Sequence, residues 1–92
     1  MKITTSLELL DWCRSVAEIE SDYMVSKLTG ISKQHLSSVR NEKKDFSDHT
    51  ALKPLLVGEH PEPLQAMALL EAHKAEKNGE DERAKLWRKS VA

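Results

Sequence analysis

The chain has 92 residues, 39% of them hydrophobic and 32% charged, with a net charge of −1; that is one domain's worth of sequence, able to bury only a thin core. No apolar run approaches the ~18 residues of a membrane span, and no signal-peptide pattern follows Met1-Lys2, so a cytoplasmic protein is expected. The single cysteine, Cys13, excludes an internal disulfide framework and suits a reducing compartment.

Thr5 followed by Glu8 is a capping-box pattern ahead of an apolar run, opening a first helix expected from about Ser6 to Ile19. Leu7, Leu10, Val16 and Ala17, with Leu9, Trp12 and Cys13 beside them, form its inward stripe. Cys13 on that stripe reads as a small buried hydrophobe, not a nucleophile. Ser21 and Asp22 cap a short second helix that runs to about Leu28, and Gly30 supplies a residue tolerant of positive φ at its end. Ser32 caps a third helix, about Lys33 to Asn41, with Leu36 and Val39 on its apolar side.

After a polar turn, Ser47 or Asp48 starts a fourth helix with Ala51, Leu52, Leu55, Leu56 and Val57 as core residues, and Gly58 closes it. Pro54 lies inside that helix and removes a hydrogen bond, so a kink there, or a helix formed only beyond it, is expected. Pro61 is placed at the first position of a fifth helix reaching about Lys77. Asn78-Gly79 breaks it, and Glu80 to Ser90 forms a last, highly charged helix turning Ala84, Trp87 and Val91 inward. Strand-like alternation and internal repeats are absent. The fold class is all-α, a compact bundle of five to six helices.

Residues Asp22 to Asn41 meet the requirements of a helix-turn-helix formed by helices 2 and 3. The crossing point needs a small residue, and Ser26 is there; the turn needs positive φ, and Gly30 is there. Val25, Ile31, Leu36 and Val39 occupy the four positions that must face the core, while Lys33, Gln34, Ser37, Ser38 and Asn41 keep the other face of the third helix polar. Charge follows the motif. Residues 1–25 carry a net −3 and residues 54–92 a net −1, whereas residues 26–53 carry +3 through Lys27, Lys33, Arg40, Lys43, Lys44 and Lys53. A phosphate-facing surface belongs in that middle third.

The stretch from Leu7 to Val57 resembles the Cro and C1-type repressors of bacteriophages. Ser21-Asp22-Tyr23, Gly30-Ile31-Ser32, Arg40-Asn41-Glu42-Lys43-Lys44 and Thr50-Ala51-Leu52-Lys53 carry the likeness. The continuation through Gly58 and Pro61 to a charged helix with Trp87 looks like a family of small phage-associated regulators. Pro54 departs from the unbroken apolar stripe usual in the fourth helix of such proteins. The resemblance implies a sequence-specific transcriptional regulator that blocks polymerase by occupying an operator in double-stranded DNA. It assigns base contacts to Ser32, Lys33, Gln34, Ser37 and Ser38, of which Gln34 can pair bidentately with adenine and Lys33 can donate to guanine. Tyr23, Asn41, Lys43 and Lys44 are then expected at the DNA backbone.

The four histidines show no zinc-ligand spacing, and no phosphate loop, nucleophile elbow or paired carboxylates appear, so no metal, cofactor, small-molecule substrate or enzymatic activity is expected. Residues 1–60 are read as the DNA-binding domain and 61–92 as a C-terminal helical extension. That extension carries Leu64, Met67, Leu70, Trp87 and Val91, a set expected to form a homodimer interface over a palindromic operator. The rival readings are a protein-interaction module on a helix-turn-helix fold, such as an antirepressor or an inhibitor of a host protein, and an antitoxin. The acidic flanks favour the first rival; the wet, aligned polar face of the third helix argues against it.

Overall fold

The computed structural model describes residues 3–91, the side chain of Asp48 excepted. Six helices follow in order: α1 (Ser6–Val16), α2 (Asp22–Thr29), α3 (Lys33–Arg40), α4 (Asp48–Val57), α5 (Pro63–Lys77) and α6 (Asp81–Ser90). There is no strand among the described residues. The protein is all-α.

Side-chain caps start the first four helices. The Thr5 hydroxyl accepts from the Glu8 N–H at 3.1 Å, and the Glu8 carboxylate accepts from the Thr4 and Thr5 N–H groups at 3.0 Å each. The Thr4 hydroxyl adds a bond at 2.7 Å, and these donors hold Glu8 below its ordinary pKa. Ser21, Ser32 and Ser47 cap α2, α3 and α4 in the same way, each accepting from an N–H three residues on.

Helix ends are less conventional. The first helix stops at Val16, short of the expected Ile19, because Glu18 takes the left-handed conformation with φ 54°. Glu18 N–H then donates to the Ser15 carbonyl and Ile19 N–H to the Arg14 carbonyl. Glu42 (φ 59°) ends α3 and Glu59 (φ 55°) ends α4 with the same pair of bonds. Glycine takes the left-handed position only at the ends of α2 (Gly30) and α5 (Gly79) among the described residues. A residue with a Cβ in this region costs roughly 1–2 kcal/mol, and a negative charge also opposes the helix dipole there. Replacing Glu59 with glycine is therefore expected to stabilise the chain by about 0.5–1 kcal/mol, after glycine's extra unfolded-state entropy is subtracted. A urea midpoint that falls in Glu59→Gly, and in Glu18→Gly, would show that these turns carry no strain to relieve.

Pro54 does not delay α4, which begins at Asp48 and runs through it. The ring instead joins Ala51 and Leu55 in the interior. Gly58 has φ −82°, so it is not needed for a left-handed turn. A Cβ there would meet the Trp12 ring at 2.5 Å, and close approach is what requires glycine. The fifth helix begins at Pro63, not Pro61: Glu62 precedes a proline and is held out of the helical region, so the helix can start only after it.

One core joins α1 through α5. Leu9, Leu10 and Cys13 from α1, Val25, Ile31, Leu36 and Val39 from the α2–α3 pair, Phe46, Ala51 and Leu55, and Ala66 and Leu70 from α5 form a single buried cluster. Burial pushes the Cys13 thiol up in pKa, as its place on the α1 stripe implies. Two expected core residues fall outside: Val16 is 49% exposed and Leu56 59%. Both lie in the last turn of their helix, and for Val16 the early end of α1 turns the chain away. The last helix returns along α5, with Ala84 against a stripe of small residues, Ala68, Ala72 and Ala75, all buried. Small side chains on both partners let the two backbones approach closely.

Candidate nucleic-acid interface

The turn between α2 and α3 is fixed from three directions. Gly30 is left-handed at φ 77°, and its N–H donates to the Ser26 carbonyl at 2.9 Å. The Ser26 hydroxyl, at the expected crossing point, donates to the Ile31 carbonyl at 2.6 Å. The buried Thr29 hydroxyl donates to the Val25 carbonyl at 2.7 Å and accepts from the Ile31 N–H at 3.2 Å. Val25, Ile31, Leu36 and Val39 are all buried, as the motif requires.

With Leu36 and Val39 anchored inside, the helical period turns Gln34, Ser37, Ser38 and Asn41 to the opposite face of α3. Gln34, Ser37 and Asn41 are exposed and Ser38 half-buried. Ser32 is exposed too, but its hydroxyl caps α3 by accepting from the His35 N–H at 3.1 Å. Lys43 and Lys44 lie just past α3, where their N–H groups fold back onto the Ser38 carbonyl at 2.8 and 3.3 Å. Tyr23 comes from α2, and the Nζ atoms of Lys27 and Lys33 lie 4.9 and 4.7 Å from its ring centroid. The structure thus gathers the base and backbone candidates around α3.

Arg40 stands apart from that surface. Its guanidinium bonds both Asp22 carboxylate oxygens, at 2.9 and 3.2 Å, and also Asp11. Arg14 meets the same Asp22 at 3.3 Å and bonds the Ile19 and Glu20 carbonyls. The hydrogen bonds donated to Asp22, above all, push Arg40 further into its charged form. This network ties α1, α2 and α3 together and neutralises two acids of the negative N-terminal third. Its partners lie 18 and 29 residues from Arg40, so no local pattern announces it. The exposed lysines Lys27, Lys33, Lys43 and Lys44 enter no ion pair among the described residues.

The residues expected at a dimer interface divide. Leu64 is 73% exposed, and with Met67, Trp87 and Val91 it lines an open groove between α5 and α6. Leu70 is only 3% exposed and belongs to the chain's own core, so it cannot reach a partner. Leu86, beside Trp87, is 68% exposed. Among the described residues no cluster of metal-ligating side chains occurs, and no helix is long and apolar enough to cross a membrane.

No protein-family model and no solved structure matches the chain. Over all 92 residues, the full length of both chains, it is 76% identical to a protein of Pseudoalteromonas phage PM2 named "Uncharacterized protein Gp-c".

Proposed function

The chain belongs to the family of the phage PM2 protein Gp-c, and on its geometry we propose that it is a sequence-specific DNA-binding regulator of the Cro/C1 repressor kind. It acts in the host cytoplasm as a homodimer on a two-fold operator, excluding polymerase by occupancy. One observation carries the reading: Gln34, Ser37 and Asn41 form a wet face on α3, directly opposite the anchored Leu36 and Val39. A helix held by a tight turn, with one polar face free and lysines at its margins, fits a major groove. Gln34 and Ser37 reach base edges with Ser38 beside them, while Asn41, Lys43 and Lys44 hold the backbone. Ser32 contributes mainly by capping the helix.

A second reading, a protein-interaction module, draws on the net charge of −1 and on Met24 and Leu28, exposed one turn apart on α2. Such a module gives α3 no reason to keep its outer face polar.

Selection from a randomised duplex pool separates the two, since only the regulator enriches a sequence. Within that sequence, Gln34→Ala is expected to lose about 1–3 kcal/mol of discrimination at one base pair per half-site. Base preferences unchanged at every position would take Gln34 out of the groove.

A further inference from the structure

We propose that Tyr23, Lys27 and Lys33 form one clamp for a single backbone phosphate, which makes Lys33 an anchor and not a base reader. The inference rests on the DNA-binding reading above. Two ammonium groups from different helices share one aromatic ring, with Nζ atoms 4.9 and 4.7 Å from its centroid. They therefore lie within about 10 Å of each other, and the π face attracts each of them while water screens their repulsion. An anion placed between them would replace that repulsion with two attractions. The first turn of α3 has no carboxylate, Asp22 in the first turn of α2 is paired with Arg40 and Arg14, and neither Lys27 nor Lys33 enters an ion pair among the described residues.

Helical phase separates Lys33 from the reading face. At about 100° per residue, Gln34, Ser38 and Asn41 centre opposite Leu36 and Val39, whereas Lys33 lies roughly a quarter turn to the side. As the first residue of α3, its side chain leans back toward the helix start, over Tyr23 of α2, and away from the groove. Tyr23 and Lys27 are four residues apart and stack on one face of α2, so the ring is held where both lysines meet it. A lysine near an invariant phosphate gives affinity and register without sequence information.

The number of phosphates engaged can be read from the salt dependence of binding, since each one neutralised contributes about one unit to the slope. The full-length chain is titrated with a duplex selected from a random pool and with a mixed-sequence duplex, each over a salt series. Lys27→Ala and Lys33→Ala are expected to weaken binding to both duplexes by the same factor. The double variant should lower the slope by about one unit in all, because both lysines serve one phosphate. Tyr23→Phe should keep the slope, and Tyr23→Leu should reduce it. A fall of about two units in the double variant overturns the shared clamp, and a change of base preference in Lys33→Ala overturns its role as an anchor. A wild-type chain that binds neither duplex at low salt is a different failure: it removes the DNA-binding reading, and the clamp with it. All three side chains replaced are exposed, and circular dichroism checks that each variant remains folded.

Discussion

Replacing Phe46 with alanine is expected to cost about 3–5 kcal/mol, a large part of the roughly 5–15 kcal/mol that holds a domain of this kind together. Phe46 lies in the loop between α3 and α4, yet it is 1% exposed and among the largest fully buried side chains. Its ring stacks on His35 of α3, with centroids 5.5 Å apart. Its N–H donates to the buried Ser6 hydroxyl of α1 at 2.9 Å, and its carbonyl accepts from Lys74 Nζ of α5 at 2.9 Å. One loop residue thus fastens three helices, and the neighbouring Asp45 adds a salt bridge to Lys77 at 2.9 Å. Truncation opens a cavity where α1, α3 and α5 meet, and the rigid neighbours cannot close it. Phe46→Leu keeps most of the volume and should lose much less. Equilibrium urea unfolding measures both; equal, small losses would mean that the loop tolerates repacking and that Phe46 is not a keystone.

Phe46 also marks where the sequence stops being informative. It sits among Lys43, Lys44, Asp45, Ser47 and Asp48, and a lone aromatic in a polar run has no period to reveal that it points inward. The starts of the first four helices were legible because a cap is local: Thr5, Ser21, Ser32 and Ser47 each bond an N–H three residues away. The end of α1 was not, since Glu18 occupies the left-handed position that composition would assign to glycine, whereas α3 and α4 end beside the expected Asn41 and Gly58. Gly30 could be read for the same reason that Glu18 could not. In the candidate interface, the polar face of α3 follows from the spacing of Leu36 and Val39. The Arg40–Asp22–Asp11 network does not, for it joins three helices through contacts of long sequence separation. A lysine at the start of α3 suits guanine in chemistry, and residue type alone gives no sign that its Nζ lies over the Tyr23 ring.

Introducing a charge on the α5–α6 face, by Leu64→Glu or Leu86→Glu, is expected to turn the proposed dimer into a monomer and to weaken operator binding on the order of 100-fold through lost avidity. The two leucines are 73% and 68% exposed, and Trp87 remains 37% exposed beside them. Leu64 and Trp87, with Pro63, Met67 and Val91, border a groove of about 710 Å³, into which a neighbouring apolar side chain can insert. In the proposed homodimer a second copy would supply one: Leu86 lies beside Trp87 of the groove, so a two-fold arrangement would present knob and hole on the same surface of both chains. The C-terminal hairpin covers part of its apolar surface within the chain, through Ala68, Ala72, Ala75 and Ala84, and leaves this part uncovered. A single α3 makes few base contacts, and two of them about 34 Å apart would match successive turns of one DNA face. The test needs the full-length chain, because α5 contributes Ala66 and Leu70 to the common core and removing it would unfold the rest. Sedimentation at tens of micromolar should give a dimer for the wild type and a monomer for both variants, with helical content unchanged. A wild-type monomer that stays monomeric on DNA rules out the assembly, and variants that remain dimeric place the interface on another surface, with the exposed Met24 and Leu28 face of α2 the next to be substituted.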